Sequence, residues 1–383
     1  MSELELLALP AGALALTSIT LDGVAVNLNG VLADVTIRHG RAGYFDSASP
    51  STAQVTLLGV PRSLTRPLRL GVVLVINATD GATIAPRFTG RLTDGDLVGD
   101  SLTVIAVGRL RTLGGYTIGT VAYPEEAWSA RVTRAFTEAG LAAQLELVAG
   151  AFDPTLLARP IEPTTLGAYL DELAETVESA VADRPDGKVL VQAINSRSST
   201  GATALSPAEV AYSPGWEMRL PAGNTVTVRY GSPEASTTVV DAASVGLYGP
   251  ITLELTTELK NAADATAMAN ARLSRGAFAH WTTPATSLLF GRRLAIGAPV
   301  GLSSLPPAAP FPSWGPILEG WTDRVISDGE ELVWTMDLAL SDPLLSGLTL
   351  SWEGVPVDAA HHWNTINQTV AWRDALVLSD LDP

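Results

Sequence analysis

The sequence predicts a mainly β protein with an α/β insert: two related small β-barrels, a two-helix α/β domain between them and an extended C-terminal arm. Three observations carry this prediction. Short runs rich in Val, Thr, Ile and Leu are punctuated by Gly, Asn, Asp and Pro over most of the chain. Between Leu113 and Thr200 the apolar period changes from strand-like to helical. A strand–turn–strand unit also occurs twice, about 230 residues apart, with Gly90, Gly99 and Leu102 at the same mutual offsets as Gly320, Gly329 and Leu332. The expected divisions are a first barrel at 1–112, the insert at 113–200, a second barrel with one helix at 201–345 and a Trp-containing arm at 346–383.

In chain order, Leu4 to Leu16 is apolar but has no basic leader and is interrupted by Pro10 and Gly12, so it reads as neither a signal peptide nor a membrane span. Strands are expected at Ala33 to Arg38, Ala53 to Leu58, Leu70 to Asn77, Arg87 to Thr93 and Leu102 to Val107. In the insert, Pro124 marks a helix start with Glu125 and Glu126 in its first turn, and Trp128, Val132, Ala135, Phe136 and Ala139 share one face before Gly140. A second helix is capped by Thr164 or Thr165 and buries Leu166, Tyr169, Leu170, Leu173, Val177 and Val181. The turn Arg184-Pro185-Asp186-Gly187 leads into a strand from Lys188 to Asn195.

Beyond residue 200, Asn261 caps a helix running to Gly276, with Ala265, Met268, Ala269 and Leu273 inward. Strands follow at Thr286 to Phe290 and Leu294 to Ile296, then a proline-rich loop from Pro306 to Pro312 and the second copy of the hairpin. In its last strand Leu332, Trp334, Met336, Leu338 and Leu340 alternate with Val333, Thr335, Asp337 and Ala339, so one side is buried. The last 38 residues carry Trp352, Trp363 and Trp372 in otherwise polar surroundings. Either they anchor an extended arm on a neighbouring surface or they pack back on this chain; the arm reading makes them the candidate partner-interface residues.

At 383 residues and 46% apolar content the chain is long enough for two to four domains. It has no cysteine, which excludes disulfides and thiolate chemistry and fits production in a reducing cytoplasm. No stretch is long and apolar enough to span a bilayer, so a soluble protein is expected. The net charge of −16 is distributed as zero, −6, −6 and −4 over the four expected divisions. An acidic surface repels phosphate, so ordinary nucleic-acid binding is not expected.

Motifs for catalysis are missing: there is no nucleophile elbow, zinc-protease helix, Walker loop or dinucleotide fingerprint. His39 and His280 read as turn or surface residues, and the adjacent His361 and His362 have no partner at metal-ligand spacing. Asp94, Asp96 and Asp100 read as a solvated turn rather than a calcium loop, as do Glu330 and Glu331 beside Asp328-Gly329. No catalytic, cofactor-binding or metal-binding residue is assigned.

The order barrel, two-helix insert, second barrel and tryptophan-bearing tail resembles the minor tail protein that forms the tail-tip hub of long-tailed phages of actinobacteria. That family is similar to the baseplate hub of contractile-tailed phages and to the base of type VI secretion spikes. The matching stretches are Gly90-Arg91-Leu92-Thr93-Asp94, Leu166-Gly167-Ala168-Tyr169-Leu170-Asp171-Glu172-Leu173-Ala174 ahead of Asp186-Gly187-Lys188-Val189, and Ala262-Ala263-Asp264-Ala265-Thr266-Ala267 ahead of Ala271-Arg272-Leu273. Ile296-Gly297 followed by Glu319-Gly320-Trp321 belongs with them, as does the tail with Trp363 and Trp372. The order and spacing of these stretches, rather than any one motif, carry the likeness.

The resemblance implies a structural virion protein at the tail tip: a homotrimer whose two barrels per chain form a pseudo-hexameric ring around a DNA conduit. Its implied partners are the distal tail or tail tube protein, the tape-measure protein, and other minor tail or fibre proteins. DNA would pass through transiently without specific binding, which an acidic lumen would suit, and no enzyme activity, cofactor or membrane span is implied. The alternatives are a receptor- or carbohydrate-binding minor tail protein, with Trp and the proline-rich loop stacking sugars, and a cell-wall-degrading tail enzyme.

Overall fold

Period-two alternation of buried and exposed side chains sets the architecture of this computed structural model. It describes residues 13–341 apart from short segments at 27–31, 44–45, 66–67, 198–201, 207–208, 212–215, 283–285, 303–304, 306–314 and 328–331. The proline-rich loop, the turn at Asp328-Gly329 with Glu330 and Glu331, His361 and His362, and the arm with Trp352, Trp363 and Trp372 therefore lie outside the described residues.

One antiparallel sheet of eleven strands contains both copies of the hairpin. Its order runs Val210–Ala211, Thr286–Leu288, Leu332–Ser341, Ile317–Ser327, Leu32–Gly40, Thr52–Leu57, Ser101–Val107, Ile84–Val98, Val73–Thr79, Ala15–Leu21 and Val24–Val26. The expectation of two separate small barrels is corrected here: the described strands form no closed barrel, and the halves are joined edge to edge. The join is the ladder from Gly320↔Gly40 to Ile326↔Asp34, in which the strand Ile317–Ser327 satisfies its second row of backbone donors and acceptors on Leu32–Gly40. A strand closed off within its own half would have left that row open at an edge.

The five strands expected in the first 112 residues are all present, with Ile84–Val98 extending beyond its expected bounds to Val98. Two more, Ala15–Leu21 and Val24–Val26, precede them, and the buried Leu14 donates its amide to the carbonyl of Gly291. Leu294 to Ile296, expected as a strand, is irregular.

The duplicated hairpins share their turn-proximal register. Asp94↔Ile105, Gly95↔Val104, Asp96↔Thr103 and Leu97↔Leu102 in the first match Arg324↔Thr335, Val325↔Trp334, Ile326↔Val333 and Ser327↔Leu332 in the second. They diverge farther from the turn, where the irregularity lies between Leu92 and Asp94 in one and between Leu318 and Gly320 in the other. An inserted residue reverses the side-chain phase beyond it, so the two copies bury different residues at their far ends.

The insert begins with the helix Trp128–Glu138, which buries Trp128, Val132, Ala135 and Phe136. Its start lies four residues after Pro124, because Glu126–Ala127 pairs with Thr155–Leu156 instead of entering the helix. The second helix, Leu166–Val177, is capped by Thr165, whose Oγ1 accepts from the Ala168 amide. It ends at Glu178 in the left-handed region (φ 54), so Val181 is buried in the strand Ser179–Asp183 and not on the helix. That strand and Leu145–Val148 flank Val189–Ala193.

Asn261 caps Ala262–Gly276 through its Oδ1, and the helix buries Ala265, Met268, Ala269 and Leu273. These residues, with Val226 and Val228 of the strand Thr225–Tyr230, share one apolar core with the insert side chains from Leu113 to Ala193. Two further cores lie on the large sheet. One lies under its first-half strands and reaches Val325 and Trp334; the other is around Leu288, Leu318, Trp321 and Met336. Among the described residues no helix is long and apolar enough to cross a membrane.

Candidate functional site

Charged side chains on the inward phase of otherwise apolar strands mark the place where both halves of the sheet and the insert meet. In Ile317–Ser327 the inward positions are Trp321, Asp323 and Val325, while Thr322, Arg324 and Ile326 point away. A carboxylate there is costly unless donors surround it. Arg87 Nε and Nη2 donate to the two Asp323 oxygens at 2.7 and 2.9 Å, and the indoles of Trp321 and Trp334 donate at 3.1 and 3.0 Å. The Arg87 guanidinium also lies 4.7 Å from the Trp321 ring centroid, adding a cation–π contact.

Four residues upstream, at the bulge, Glu319 accepts from Arg41 Nε at 2.8 Å, from Arg197 at 2.7 and 3.1 Å, and from Ser341 Oγ at 2.6 Å. Burial alone would raise its pKa, but the guanidiniums of Arg197 and Arg41 outweigh that and hold it at about 2. Arg41 follows the strand Leu32–Gly40, Arg197 closes the insert, and Ser341 ends the last strand. One carboxylate thus ties three distant parts of the chain.

The ladder leaves no room beside it. A Cβ on Gly40 would fall 2.2 Å from the carbonyl oxygen of Glu319, and one on Gly320 would fall 2.4 Å from that of His39. The facing glycines allow the backbones to approach, and Gly40 also takes φ +73.

His39, expected at a turn or the surface, is only 2% exposed within its strand. The correction follows from strand phase, since both ring nitrogens find partners inside: Ser51 Oγ at 2.7 Å and the Arg87 carbonyl at 2.8 Å. Burial, then the nearby Arg87 charge, push its pKa down to about 4. A serine hydroxyl on a neutral imidazole is the pairing that activates a nucleophile. Here Ser51 is 1% exposed, so no substrate reaches it and the pair acts as packing.

The remaining acids offer little free chemistry. Asp94 and Asp96 stand on the exposed outer end of Ile84–Val98, not in the turn, and Asp100 follows Gly99. Among the described residues no group of three His, Asp or Glu side chains is placed to hold a metal ion. A shallow groove of about 650 Å³ on Trp128–Glu138 contains Glu126 and Glu138. Despite burial, Arg134 and Arg131 hold Glu126 below the ordinary carboxylate range. Glu138 is bonded by Thr120 and the Tyr123 hydroxyl, and its pKa is lowered by them against burial. His280 lies in the strand His280–Thr282, with its pKa lowered by burial.

Of the residues expected to meet a partner, Trp352, Trp363 and Trp372 lie outside the described residues. Within them, several exposed apolar side chains cluster in sequence at the hairpin turns: Leu97 and Val98 at one, Ile326, Leu332 and Val333 at the other. Arg87, Glu319, Asp323 and Arg197 were not singled out from the sequence. The available signal was a charged residue on the inward phase of an alternating strand, as in Trp321-Thr322-Asp323-Arg324-Val325.

No protein-family model matches the chain, and no curated protein matches it. Solved structures share its fold. The tail protein from Neisseria meningitidis superposes with a TM-score of 0.62 at 12% identity, covering 88% of this chain and 98% of that one. The 43 kDa tail protein of prophage MuSo2 from Shewanella oneidensis gives 0.58 at 11%, again over 88% and 98%. An E. coli type VI secretion component, described as structurally similar to the bacteriophage T4 tail proteins gp27 and gp5, gives 0.51 at 11%, over 86% and 78%. The chain therefore has the fold of phage tail proteins and of a type VI secretion component.

Proposed function

We propose that this chain is a structural, non-enzymatic virion protein that forms the hub at the tip of a phage tail. Three copies assemble into a pseudo-hexameric ring that surrounds the DNA conduit. The ring docks on the tail tube or distal tail protein, meets the tape-measure protein and holds minor tail or fibre proteins. The arm with Trp352, Trp363 and Trp372 contributes the anchoring contacts.

The observation that carries this reading is the common turn-proximal register of the hairpins at 84–107 and 317–341. Two like units per chain let three chains offer six like positions, which is how a threefold ring matches a sixfold tube. The shared fold with tail proteins of similar length supports it. The buried carboxylates Asp323 and Glu319 are each held by several donors, which suits a rigid connector better than an acid–base catalyst. A net charge of −16 per copy disfavours DNA adhesion in a lumen.

Immunogold labelling of tailed particles, with native mass spectrometry of the hub released from them, tests the proposal. Label confined to the tail tip and a threefold mass are expected. Label elsewhere on the particle, or a monomer that binds host glycans, would favour the receptor- or carbohydrate-binding alternative.

A further inference from the structure

Both copies of the hairpin leave the large sheet at the same rim. The registers align Ile326, Asp34, Thr56, Thr103 and Asp96 across five consecutive strands, from Ile317–Ser327 to Ile84–Val98. The first hairpin turns back beyond this line, at Gly99, and Ser327↔Leu332 is the last described pair of the second. Four strand spacings separate Ile317–Ser327 from Ile84–Val98, about 19 Å along the sheet. The insert is bound at the other ends of these strands, where the Ser51 amide donates to Asp183 and Arg197 bonds Glu319. Ser51 and Leu58 flank Thr52–Leu57, so the insert contact and the rim are roughly 23 Å apart at the rise of a strand.

The rim is apolar. Leu58, Leu97, Val98, Ile326, Leu332 and Val333 are six of the seventeen large apolar side chains that stand exposed among the described residues. Such a concentration on one line of strand ends marks a contact surface rather than scattered exposure. The Val60 amide donates to the Asp100 carbonyl, which brings Leu58 beside the first turn, and Ile326 faces Val333 across the second hairpin. Exposed Asp96 and Asp100 flank Leu97 and Val98. The two hairpins agree in backbone register but not in side chains, since Leu97 corresponds to Ser327 and Asp96 to Ile326. A partner that meets both therefore reads apolar surface at two like positions, not one side-chain pattern.

We propose that this rim is the docking face for a ring of identical partner subunits, with the two hairpins of one chain engaging two adjacent copies of the same partner. Each partner subunit presents an apolar socket, and the acids beside the first turn call for lysine or arginine at its edge. The proposal rests on the hub reading and assigns its tube-facing contact: the partner is the terminal ring of the tail tube, and the insert end points away from it. Two like projections on one chain have two like contacts to satisfy, which a ring of identical subunits supplies.

The test uses the absence of cysteine from the chain. Full-length Val98→Cys and Val333→Cys each carry a single thiol at an exposed rim position, so folding is expected to be unchanged. Maleimide labelling is compared between the free chain and tailed particles assembled with each variant. Both thiols are expected to react at least about tenfold more slowly in the particles, because the centre of a docked interface excludes water. A benzophenone-maleimide placed on either thiol is then photolysed in assembling particles, and mass spectrometry identifies the crosslinked peptide. Both positions are expected to reach the same polypeptide, one other than this chain and present as a ring. Crosslinks from the two positions to different polypeptides, crosslinks to a second copy of this chain, or thiols that stay as reactive as in the free chain would overturn the rim proposal while leaving the hub reading in place. A chain missing from tailed particles would defeat the hub reading itself, and the rim proposal with it.

Discussion

Asp323 and Glu319 bind arginines from parts of the chain that are far away in sequence, and each carboxylate is saturated by donors. Buried ion pairs contribute little net stability relative to apolar replacements, but removing one partner leaves an uncompensated charge. Arg87→Met is therefore expected to lower unfolding stability by about 3–5 kcal/mol, with the double variant Arg87→Met/Asp323→Leu recovering much of the loss; denaturant titration measures both. The low pKa of Glu319 has a defined pH consequence. Its contribution is full above 4.5 and is lost as pH falls through about 2. Glu319→Gln should therefore cost about 3 kcal/mol near neutrality and flatten the acid limb of the wild-type stability curve.

Among the elements, the glycine pair at the join of the two halves is a sensitive point. Gly320 faces Gly40 in the ladder, and a Cβ on either meets backbone, which cannot rotate away. Gly320→Ala is expected to lower the melting temperature much more than Gly99→Ala. Gly99 has φ +64 but open space around it, so the substitution there costs only the left-handed strain of about 1–2 kcal/mol. Thermal unfolding of the two variants side by side distinguishes them. At the caps, Thr165→Ala and Asn261→Ala should each cost about 1 kcal/mol, because each side chain satisfies an amide of the first helical turn.

For the whole molecule, the proposed hub role predicts that the two hairpins and the tryptophan-bearing tail contribute separably. On that proposal, truncation after Leu345 is expected to change circular dichroism and melting little while incorporation into tails is lost. A truncated chain that still joins complete tails would remove the arm from the assembly. Only two of the 24 basic side chains are lysine, so nearly all basic side chains offer the planar fork that suits fixed carboxylate pairing.

Local pattern by itself determined the five first-half strands, the cap at Asn261, the inward stripe of Trp334, Met336, Leu338 and Leu340 and the repetition of the hairpin, because backbone period and capping depend on near neighbours; Leu332, expected in that stripe, is exposed, and Thr165 rather than Thr164 is the cap of the second insert helix. Its error at Val181 came from extending a helical period through Glu178, where a positive φ ends the helix. Only the tertiary structure decided that both hairpins enter one sheet, that Glu126 pairs in a strand, and that His39, Asp183, Glu319 and Asp323 are buried. Strand partners and ion-pair partners more than a hundred residues away leave no local signature. Which charge may be buried depends on whether such a partner arrives to compensate its lost hydration.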